Sequence, residues 1–456
     1  MNHSRSVLLR RSFRKAFPPA VGGEGVYLWD ARGKRYLDFS GSAAVNFIGH
    51  GVTEIVAAMT SQARQIEFVH SSQFTTPVAE EYARDLLDFA GGNFAGGSVY
   101  FTCGGSEAIE TALKLARQYQ VEIGQTKRHR VLSRGQSYHG STLGALAVSG
   151  NKRRREIYRP MMPEFTPVAF PYCYRCAYDC TDGCRNCGQE YALALEDAIE
   201  GADGEVASFI FEPVSGATLG AVVPPPGYLP SVAEICRRHG VLLIADEVMS
   251  GMGRTGRNFA GEHFSDEHGQ VAPDILVTAK GLSSGYAPLG AVLVTGKIAD
   301  AICQGSGAFV HGFTYNSHPI SLAAGRAVLQ VLQREKLVQA ADSERPGSAA
   351  ATLKNALGNL RNLDAVGDVR GIGLLWAIEF VADKSSKAPF PPELNVAGRV
   401  AEAATRRGLL VYPVQGCADG HAGDHVLIAP PAVISEEQIT WAVEESAGAI
   451  REAAKE

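Results

Sequence analysis

Two charged residues that end apolar segments are the first candidates for chemistry in this sequence. Asp246 closes the apolar run 241–245, and Lys280 follows the predicted strand 274–279 and enters a loop rich in Gly and Ser. Ligands of open α/β sheets bind outside the carboxyl ends of strands. A lysine that is partly desolvated there has a lowered pKa, as Schiff-base chemistry requires. Charged residues often end strands for structural reasons alone. The occurrence of both residues is therefore stronger evidence for a functional site than either residue by itself.

Pyridoxal phosphate (PLP) is a cofactor that uses both groups, because a lysine binds its aldehyde and an acid keeps its pyridine nitrogen protonated. Two further segments suit the same ligand. Gly104, Gly105 and Ser106 lie between a predicted strand and a predicted helix, where they can present donors to a phosphate at the positive helix end. Tyr138 precedes His139 in a loop flanked by Gly, and its ring can stack on a flat heterocycle.

Residues 251–256 match the G-x-G-x-x-G spacing of dinucleotide-binding sites. A true site would open an apolar-periodic helix and would be followed by a second strand with an acid for the ribose. Neither feature follows this segment. The context therefore disfavours a dinucleotide site.

The elements that must position these residues alternate between strands and helices. Near-continuous apolar strands between helices indicate a mostly parallel sheet covered on both faces. The strands are predicted at 99–102, 130–133, 206–211, 241–245, 275–278 and 290–294, and the helices at 77–89, 106–120 and 231–239. After residue 319 the pattern changes to Ala- and Leu-rich helices, one strand at 371–380 and a last helix at 436–454.

This pattern predicts an α/β chain with a large domain and a smaller α+β domain. Residues 1–60 form an N-terminal arm and a hairpin, with strands 26–30 and 35–39, that joins the small domain. Residues 61–320 form the large cofactor-binding domain, with a Cys-rich insertion at 172–188. Residues 321–456 form the C-terminal small domain.

With these residues in view, the chain resembles the class III (ω-type) aminotransferases of PLP fold type I. The match runs nearly end to end, through the hairpin 25–39 and segments 104–107, 138–142, 212–214, 246–248, 253–256, 279–281 and 312–314. The resemblance implies PLP fold type I, an α/β fold whose large domain has a mostly parallel sheet of the seven-stranded type between helices, together with a smaller α+β domain.

The resemblance also implies roles for matching positions. Lys280 would form the Schiff base and shuttle the proton, and Asp246 would pair with the pyridinium nitrogen. Thr314 would bind the phosphate of the neighbouring subunit, so a homodimer with shared active sites is expected, with a tetramer as the larger alternative. The expected cofactor-binding residues are Gly104, Gly105, Ser106, Tyr138, His139, Glu212, Asp246, Val248, Lys280 and Thr314.

Within the family, the chain is most similar to the ω-amino acid:pyruvate and amine:pyruvate transaminases, which share the run Tyr-His-Gly-Ser-Thr. Ser141 stands where enzymes resembling γ-aminobutyrate transaminase carry an Arg, and residues 419–425 lack the Arg that many ω-transaminases use for a keto-acid carboxylate. The resemblance implies that Val45, Phe47 and Ser215 line the substrate pocket. Pyruvate is the expected acceptor, and 2-oxoglutarate or an aldehyde remain alternatives.

The reaction implied is the transfer of an amino group from an ω-amino acid or primary amine through a pyridoxamine phosphate intermediate. Lys280 and Asp246 are common to other enzymes on this scaffold, because reaction choice depends on the side chains that face the substrate. A PLP-dependent lyase, decarboxylase or racemase is therefore the alternative. A non-catalytic, zinc-dependent interaction module is a third hypothesis.

A cluster of five cysteines supports the zinc hypothesis. Cys173, Cys176, Cys184 and Cys187 form two Cys-x-x-Cys pairs, a spacing that suits a tetrahedral structural zinc site, and Cys180 lies between them. Free or reversibly oxidised thiols are the alternative. The remaining four cysteines are scattered and are predicted to be buried apolar residues: Cys103, Cys236, Cys303 and Cys417.

The bulk composition limits the partners. The 456 residues carry a formal net charge of −5, and the sequence pI is about 6.2, so neither nucleic acid nor an anionic membrane is expected as a partner. The basic run 152–155 is interpreted as a solvated patch. The Arg-rich residues 1–17 resemble an organelle transit peptide in composition, but they run directly into folded-looking sequence and are interpreted as an arm or helix; they lack the apolar core of a secretory signal. A soluble cytoplasmic protein that acts on small molecules is expected.

Overall fold

The computed structural model describes residues 7–13, 15, 17–163, 167–178, 184, 187–266 and 269–454. The helices are α1 (Gly41–Ala44), α2 (Thr53–Gln65), α3 (Pro77–Ala90), α4 (Gly105–Glu122), α5 (Leu143–Ala147), α6 (Lys152–Arg155), α7 (Cys187–Glu200), α8 (Tyr228–His239), α9 (Gly296–Gln304), α10 (Pro319–Arg334), α11 (Leu337–Ala340), α12 (Ala349–Gly358), α13 (Val396–Arg406) and α14 (Glu436–Ala454).

The strands are β1 (Ala20–Glu24), β2 (Tyr27–Asp30), β3 (Arg35–Asp38), β4 (Ser98–Thr102), β5 (Arg130–Arg134), β6 (Pro167–Val168), β7 (Val206–Phe211), β8 (Leu242–Asp246), β9 (Ser265–Asp266), β10 (Gly269–Gln270), β11 (Ile275–Thr278), β12 (Gly290–Val294), β13 (Val366–Ile372), β14 (Leu375–Phe380), β15 (Leu409–Leu410), β16 (Tyr412–Gln415) and β17 (Asp424–Ile428).

A seven-stranded sheet forms the centre of the large domain. Its strand order is β4-β12-β11-β8-β7-β5-β6. The pairs from β11 to β6 are parallel, and β12 is antiparallel to both of its neighbours. Each predicted strand of this region is present within a residue or two of its predicted bounds. The predicted α/β fold with a mostly parallel sheet is confirmed.

Helices cover both faces of this sheet because successive strand residues point to opposite sides. In β8, Leu242 and Ile244 pack in the cluster that contains the apolar face of α4, including Ile109. Leu243 and Ala245 pack on the other side, in the cluster formed with α7 and α8. A strand buried on both faces has no polar alternation, which explains the continuous apolar runs in the sequence.

The C-terminal region forms a second, antiparallel sheet with the order β13-β14-β17-β16. The single strand predicted at 371–380 is wrong, because the chain reverses between Ile372 and Leu375 and pairs β13 with β14. Gly373 makes this turn possible with a φ of +62°, and a Cβ there would lie 2.4 Å from the Thr255 carbonyl carbon. The predicted last helix 436–454 matches α14.

The N-terminal hairpin belongs to a small sheet with the order β1-β2-β3-β15. Strands β2 and β3 form the predicted hairpin, and β1 is an additional strand that the sequence pattern did not predict. Strand β3 pairs in parallel with β15, so Leu37 lies opposite Leu409. The described part of residues 7–17 contains no helix. The domain boundaries at residues 60 and 320 stay predictions.

Within the described ranges, none of the helices combines the length and the apolar character needed to cross a bilayer.

Candidate active site

The ends of two neighbouring strands bring Lys280 and Asp246 together. Strands β8 and β11 are parallel, with Val277 opposite Asp246, and Lys280 follows at the start of a short turn. A cavity of about 360 Å³ opens at this edge of the sheet. Nine of the ten predicted cofactor-binding residues line it, namely Gly104, Gly105, Ser106, Tyr138, His139, Glu212, Asp246, Val248 and Lys280.

Lys280 lies in an environment that favours its neutral form. The residue adopts a left-handed backbone conformation with a φ of +45°, which is costly for a residue with a side chain and is typical of functional positions. Its side chain is partly buried, and this desolvation lowers its pKa to about 8. The carboxylates of Asp246 and Glu212 act in the opposite direction but do not cancel the effect.

Asp246 is held rigidly at the base of the cavity. Its carboxylate is only 5% exposed, and its Oδ2 lies 2.7 Å from Nδ1 of His139. The backbone N–H of Val248 donates to Oδ1 at 3.1 Å. The Nε2 atom of His139 is buried and has no hydrogen-bond partner among the described residues. These contacts fix the orientation of the carboxylate and leave it able to accept a further donor.

The N-terminus of α4 forms another wall of the cavity. Gly104 is the N-cap residue, and the first N–H groups of a helix have no partners within the helix. The Ser106 hydroxyl accepts a hydrogen bond from the backbone N–H of Ser141 at 3.0 Å. Gly140 packs so closely that a Cβ would lie 2.8 Å from this hydroxyl. This wall offers N–H and O–H donors at the positive end of a helix dipole.

Tyr138 links this wall to Glu212. The Tyr138 hydroxyl lies 2.7 Å from the Ser141 hydroxyl. The Glu212 carboxylate accepts hydrogen bonds from the backbone N–H of Gly216 at 2.9 Å and of Tyr138 at 3.4 Å. Burial raises the pKa of Glu212 above its ordinary value. Glu212 therefore fixes the loops on both sides of the cavity.

The basic run 152–155 is not simply a solvated patch, as the sequence suggested. Lys152 and Arg153 are exposed, but Arg154 is partly buried and its guanidinium lies 4.3 Å from the centre of the Tyr138 ring. The positive charge of Arg154 also contributes to the lowered pKa of Lys280. Arg153 donates to the side chain of Gln415. The run therefore places one arginine beside the candidate site.

The remaining predicted site residues do not all line this cavity. Thr314 is exposed and does not line the cavity of its own chain. Val45 lines the cavity, whereas Phe47 packs under the guanidinium of Arg254 and Ser215 pairs through its backbone with Val222. The sequence pattern missed the contribution of the loop after Lys280, where five residues line the cavity: Ser283, Gly285, Ala287, Pro288 and Leu289.

The glycine-rich segment 251–256 has a structural role. It is a series of turns that no regular α-helix follows directly. Arg254 is buried, and its guanidinium donates to the carbonyl oxygens of Asn46, Ala429 and Pro430. The segment thus holds together two distant parts of the chain, one at Asn46 and one at Ala429 and Pro430, and the helix that a dinucleotide site requires does not follow it in the described residues.

The cysteines divide into two groups. The sulfur atoms of Cys173, Cys184 and Cys187 lie within 4.8 Å of one another, whereas the Cys176 sulfur lies 3.6 Å from the Tyr191 hydroxyl. Cys180 lies outside the described residues. Of the scattered cysteines, two are buried as predicted, Cys236 and Cys417. The prediction is wrong for Cys303, which is exposed, and for Cys103, which lines the cavity.

The sequence of this chain is similar to those of known aminotransferases. Residues 12–450 match the family model described as aminotransferase class-III. The putrescine–pyruvate aminotransferase of Pseudomonas aeruginosa is 36% identical over 419 residues, which cover 91% of this chain and 86% of that protein.

Two solved structures are similar over almost the whole chain. A thermostable (S)-enantioselective ω-transaminase from Thermomicrobium roseum gives a TM-score of 0.89 at 36% identity, covering 98% of this chain and 96% of that one. An amine transaminase from an uncultivated Pseudomonas species, in its PLP-bound form, gives a TM-score of 0.89 at 32% identity and covers 99% of each chain. The resemblance found in the sequence is confirmed, and this chain belongs to the class III aminotransferases.

Proposed function

We propose that this aminotransferase uses PLP to move an amino group from an ω-amino acid or a primary amine to a keto acid, with pyruvate as the acceptor. The observation that carries the proposal is the meeting of Lys280, Asp246 and the N-terminus of α4 in one cavity. The relative that acts on putrescine and pyruvate supports this choice of donor and acceptor. The family does not favour the lyase alternative.

The residues of the cavity fit PLP at three points. The N–H groups at the start of α4, with the Ser106 hydroxyl, suit a phosphate. The carboxylate of Asp246 suits the protonated pyridine nitrogen, and the ring of Tyr138 suits a flat heterocycle. When bound, the cofactor supplies an aldehyde for amines and a cationic ring that withdraws electrons from the substrate carbon.

The protein's own residues then handle protons and charge. The Nζ atom of Lys280, with a pKa of about 8, is present partly as the neutral amine near neutral pH. It can therefore take a proton from the carbon that bears the donor's amino group and return it to a neighbouring atom. Asp246 would hold the protonated ring nitrogen of the cofactor, because His139 and Val248 fix the orientation of both of its carboxylate oxygens.

Arg154 is our candidate for attracting the acceptor's carboxylate. Residues 419–425 contain no Arg, and Ser141 is neutral, so the usual family positions supply no cation. Arg154 lies against the Tyr138 ring, and its charge reaches Lys280. A guanidinium beside a partly desolvated cavity attracts carboxylates more strongly than a neutral side chain does.

This assignment predicts a selective effect of Arg154→Ala. The variant should raise the KM for pyruvate by about tenfold, the cost of about one charge-assisted contact, and leave the KM for an uncharged aldehyde acceptor unchanged. Arg153→Ala is the matched control, because Arg153 is adjacent but exposed. An equal rise of KM for both acceptors would indicate a structural role only.

We also propose a homodimer with shared active sites, with a tetramer as the larger alternative. Thr314 is exposed, and the segment around it exposes Val310 and Tyr315 to 82% and 59%. Co-expression of Lys280→Ala and Thr314→Ala chains tests the proposal. Heterodimers should regain one site with wild-type PLP affinity, since one of the two sites then has both residues. Heterodimers without such a site argue against sharing.

A cytoplasmic location is proposed as well. Six of the described cysteines are free thiols, which is typical of proteins in reducing compartments: Cys103, Cys173, Cys184, Cys236, Cys303 and Cys417. Fractionation of cells that produce the protein at native levels tests this location, and recovery in an oxidising compartment would contradict it.

The absorption spectrum of the purified protein tests the central proposal. A visible band should be present in the wild type and in the control Lys297→Ala, whose lysine faces solvent, and absent in Lys280→Ala. An amine without acceptor should bleach the band, and pyruvate should restore it. Release of ammonia without an acceptor would instead establish the lyase, and failure of PLP to produce any band would refute the proposal.

A further inference from the structure

The described residues of the Cys-rich segment 172–188 lie beside the large sheet, against α7. Cys184 and Cys187 are buried in the apolar cluster of α7 and α8, and Cys173 and Cys176 are partly buried against it. The three sulfur atoms of Cys173, Cys184 and Cys187 converge within 4.8 Å. Cys184 lies eleven positions after Cys173, and Cys187 lies three positions after Cys184. Their thiols nevertheless point to one place.

We propose that this segment binds one structural zinc ion through Cys173, Cys184 and Cys187, with Cys176 as the fourth ligand. Zinc in structural sites takes four thiolate or imidazole ligands in a tetrahedron, commonly from paired Cys-x-x-Cys segments. With zinc–sulfur distances of about 2.3 Å, ligand sulfurs lie about 3.8 Å apart, so the three sulfurs that already lie within 4.8 Å of one another need only small movements to bind one ion.

Cys176 is suited to the fourth position. It is the partner of Cys173 in the first Cys-x-x-Cys pair and packs against the same apolar cluster. Its thiol now lies beside the Tyr191 hydroxyl at 3.6 Å, and that hydroxyl also accepts a hydrogen bond from the backbone N–H of Ala177. Contacts of this kind around ligand side chains orient metal-binding residues.

Residues next to the proposed ligands contact the C-terminal sheet. The neighbouring Arg175 and Tyr172 both hydrogen-bond to the buried carboxylate of Glu379 on β14. Arg370 pairs with the same carboxylate at 2.7 Å and donates to the carbonyl oxygen of Gly220 at 2.7 Å. Ala217, in the same loop as Gly220, lines the cavity. The Cys-rich segment is thus connected, through Glu379 and Arg370, to the loop that forms one wall of the candidate active site.

Metal analysis of the untagged holoenzyme tests the proposal. Wild-type protein produced with zinc and then dialysed should contain about one zinc ion per chain. Cys184→Ser and Cys187→Ser should lose most of it, and Cys176→Ser should hold it more weakly during dialysis. Cys303→Ser is the matched control, because Cys303 is exposed and outside the cluster, and it should retain full zinc.

A second measurement does not depend on how the variants fold. Wild-type protein produced with cobalt in place of zinc should show a cobalt–thiolate charge-transfer band, which zinc should displace. Wild-type protein without bound zinc, or zinc content unchanged by both Cys184→Ser and Cys187→Ser, overturns the proposal. A disulfide within the segment, found by mass spectrometry of unreduced peptides from protein purified anaerobically, overturns it as well. Unchanged zinc retention in Cys176→Ser removes that residue from the ligand set.

Discussion

The lowered pKa of Lys280 predicts how the protein without cofactor captures PLP at different pH values. Only the neutral amine attacks an aldehyde. With a pKa of about 8 rather than 10.5, the neutral fraction at about pH 7.5 is about 200 times larger than for an ordinary lysine. Because burial disfavours the charged form, the capture rate should rise with pH through about 8 and level off above it.

Stopped-flow absorption measures this rate after PLP is mixed with the cofactor-free protein. Borohydride trapping and peptide mass spectrometry then show whether Lys280 carries the cofactor. A blocked lysine in solution is the control, and its rate should keep rising towards pH 10.5. The Asp246→Asn variant should shift the midpoint to lower pH, because the Asp246 carboxylate raises the pKa of Lys280. A wild-type midpoint near 10.5 would refute the reasoning.

Three further substitutions test individual contacts. Asp246→Asn keeps the shape of the side chain but removes its charge, and kcat should fall by about 100-fold or more in steady-state assays. Arg254→Met leaves three buried carbonyl oxygens without their donor, so it should lower the free energy of unfolding by about 3 kcal/mol or more. Thermal unfolding should show a much smaller change for the control Arg257→Met, which loses a part-exposed ion pair with Asp342 and one hydrogen bond to the Gly256 carbonyl oxygen. Gly140→Ala places a Cβ 2.8 Å from the Ser106 hydroxyl oxygen and should weaken PLP binding about tenfold, as measured by titration. The control Gly358→Ala should leave PLP binding unchanged, because no atom lies within 4 Å of the added Cβ.

The sequence was sufficient for the elements of the large sheet and for the residues at their ends. Strands buried on both faces require continuous apolar runs, which are visible without any knowledge of neighbours. Charged residues that follow such runs are conspicuous, so Asp246 and Lys280 could be selected directly. The parallel pairing of β8 and β11 then brings them to one cavity, as the rule for strand ends predicts.

Features that depend on contacts between distant segments could not be predicted from the sequence. Periodicity in a sequence reports which face of an element is buried, but not which segment covers it. The charge pattern of α6 therefore suggested a solvated patch, and only the packing of Arg154 on Tyr138 placed it beside the site. The exposure of Cys303 was likewise unpredictable, because an apolar cysteine is buried only where a partner surface exists.

The fold class, the family and the charged residues at the strand ends could all be predicted from the amino-acid sequence, because they follow from local patterns and from side-chain chemistry. The pairing of His139 with Asp246, the contacts of Arg254 and the convergence of the cysteine sulfurs became visible only in the folded chain. Each of these joins segments far apart in the chain. Their geometry follows from the packing of the whole molecule rather than from any local preference.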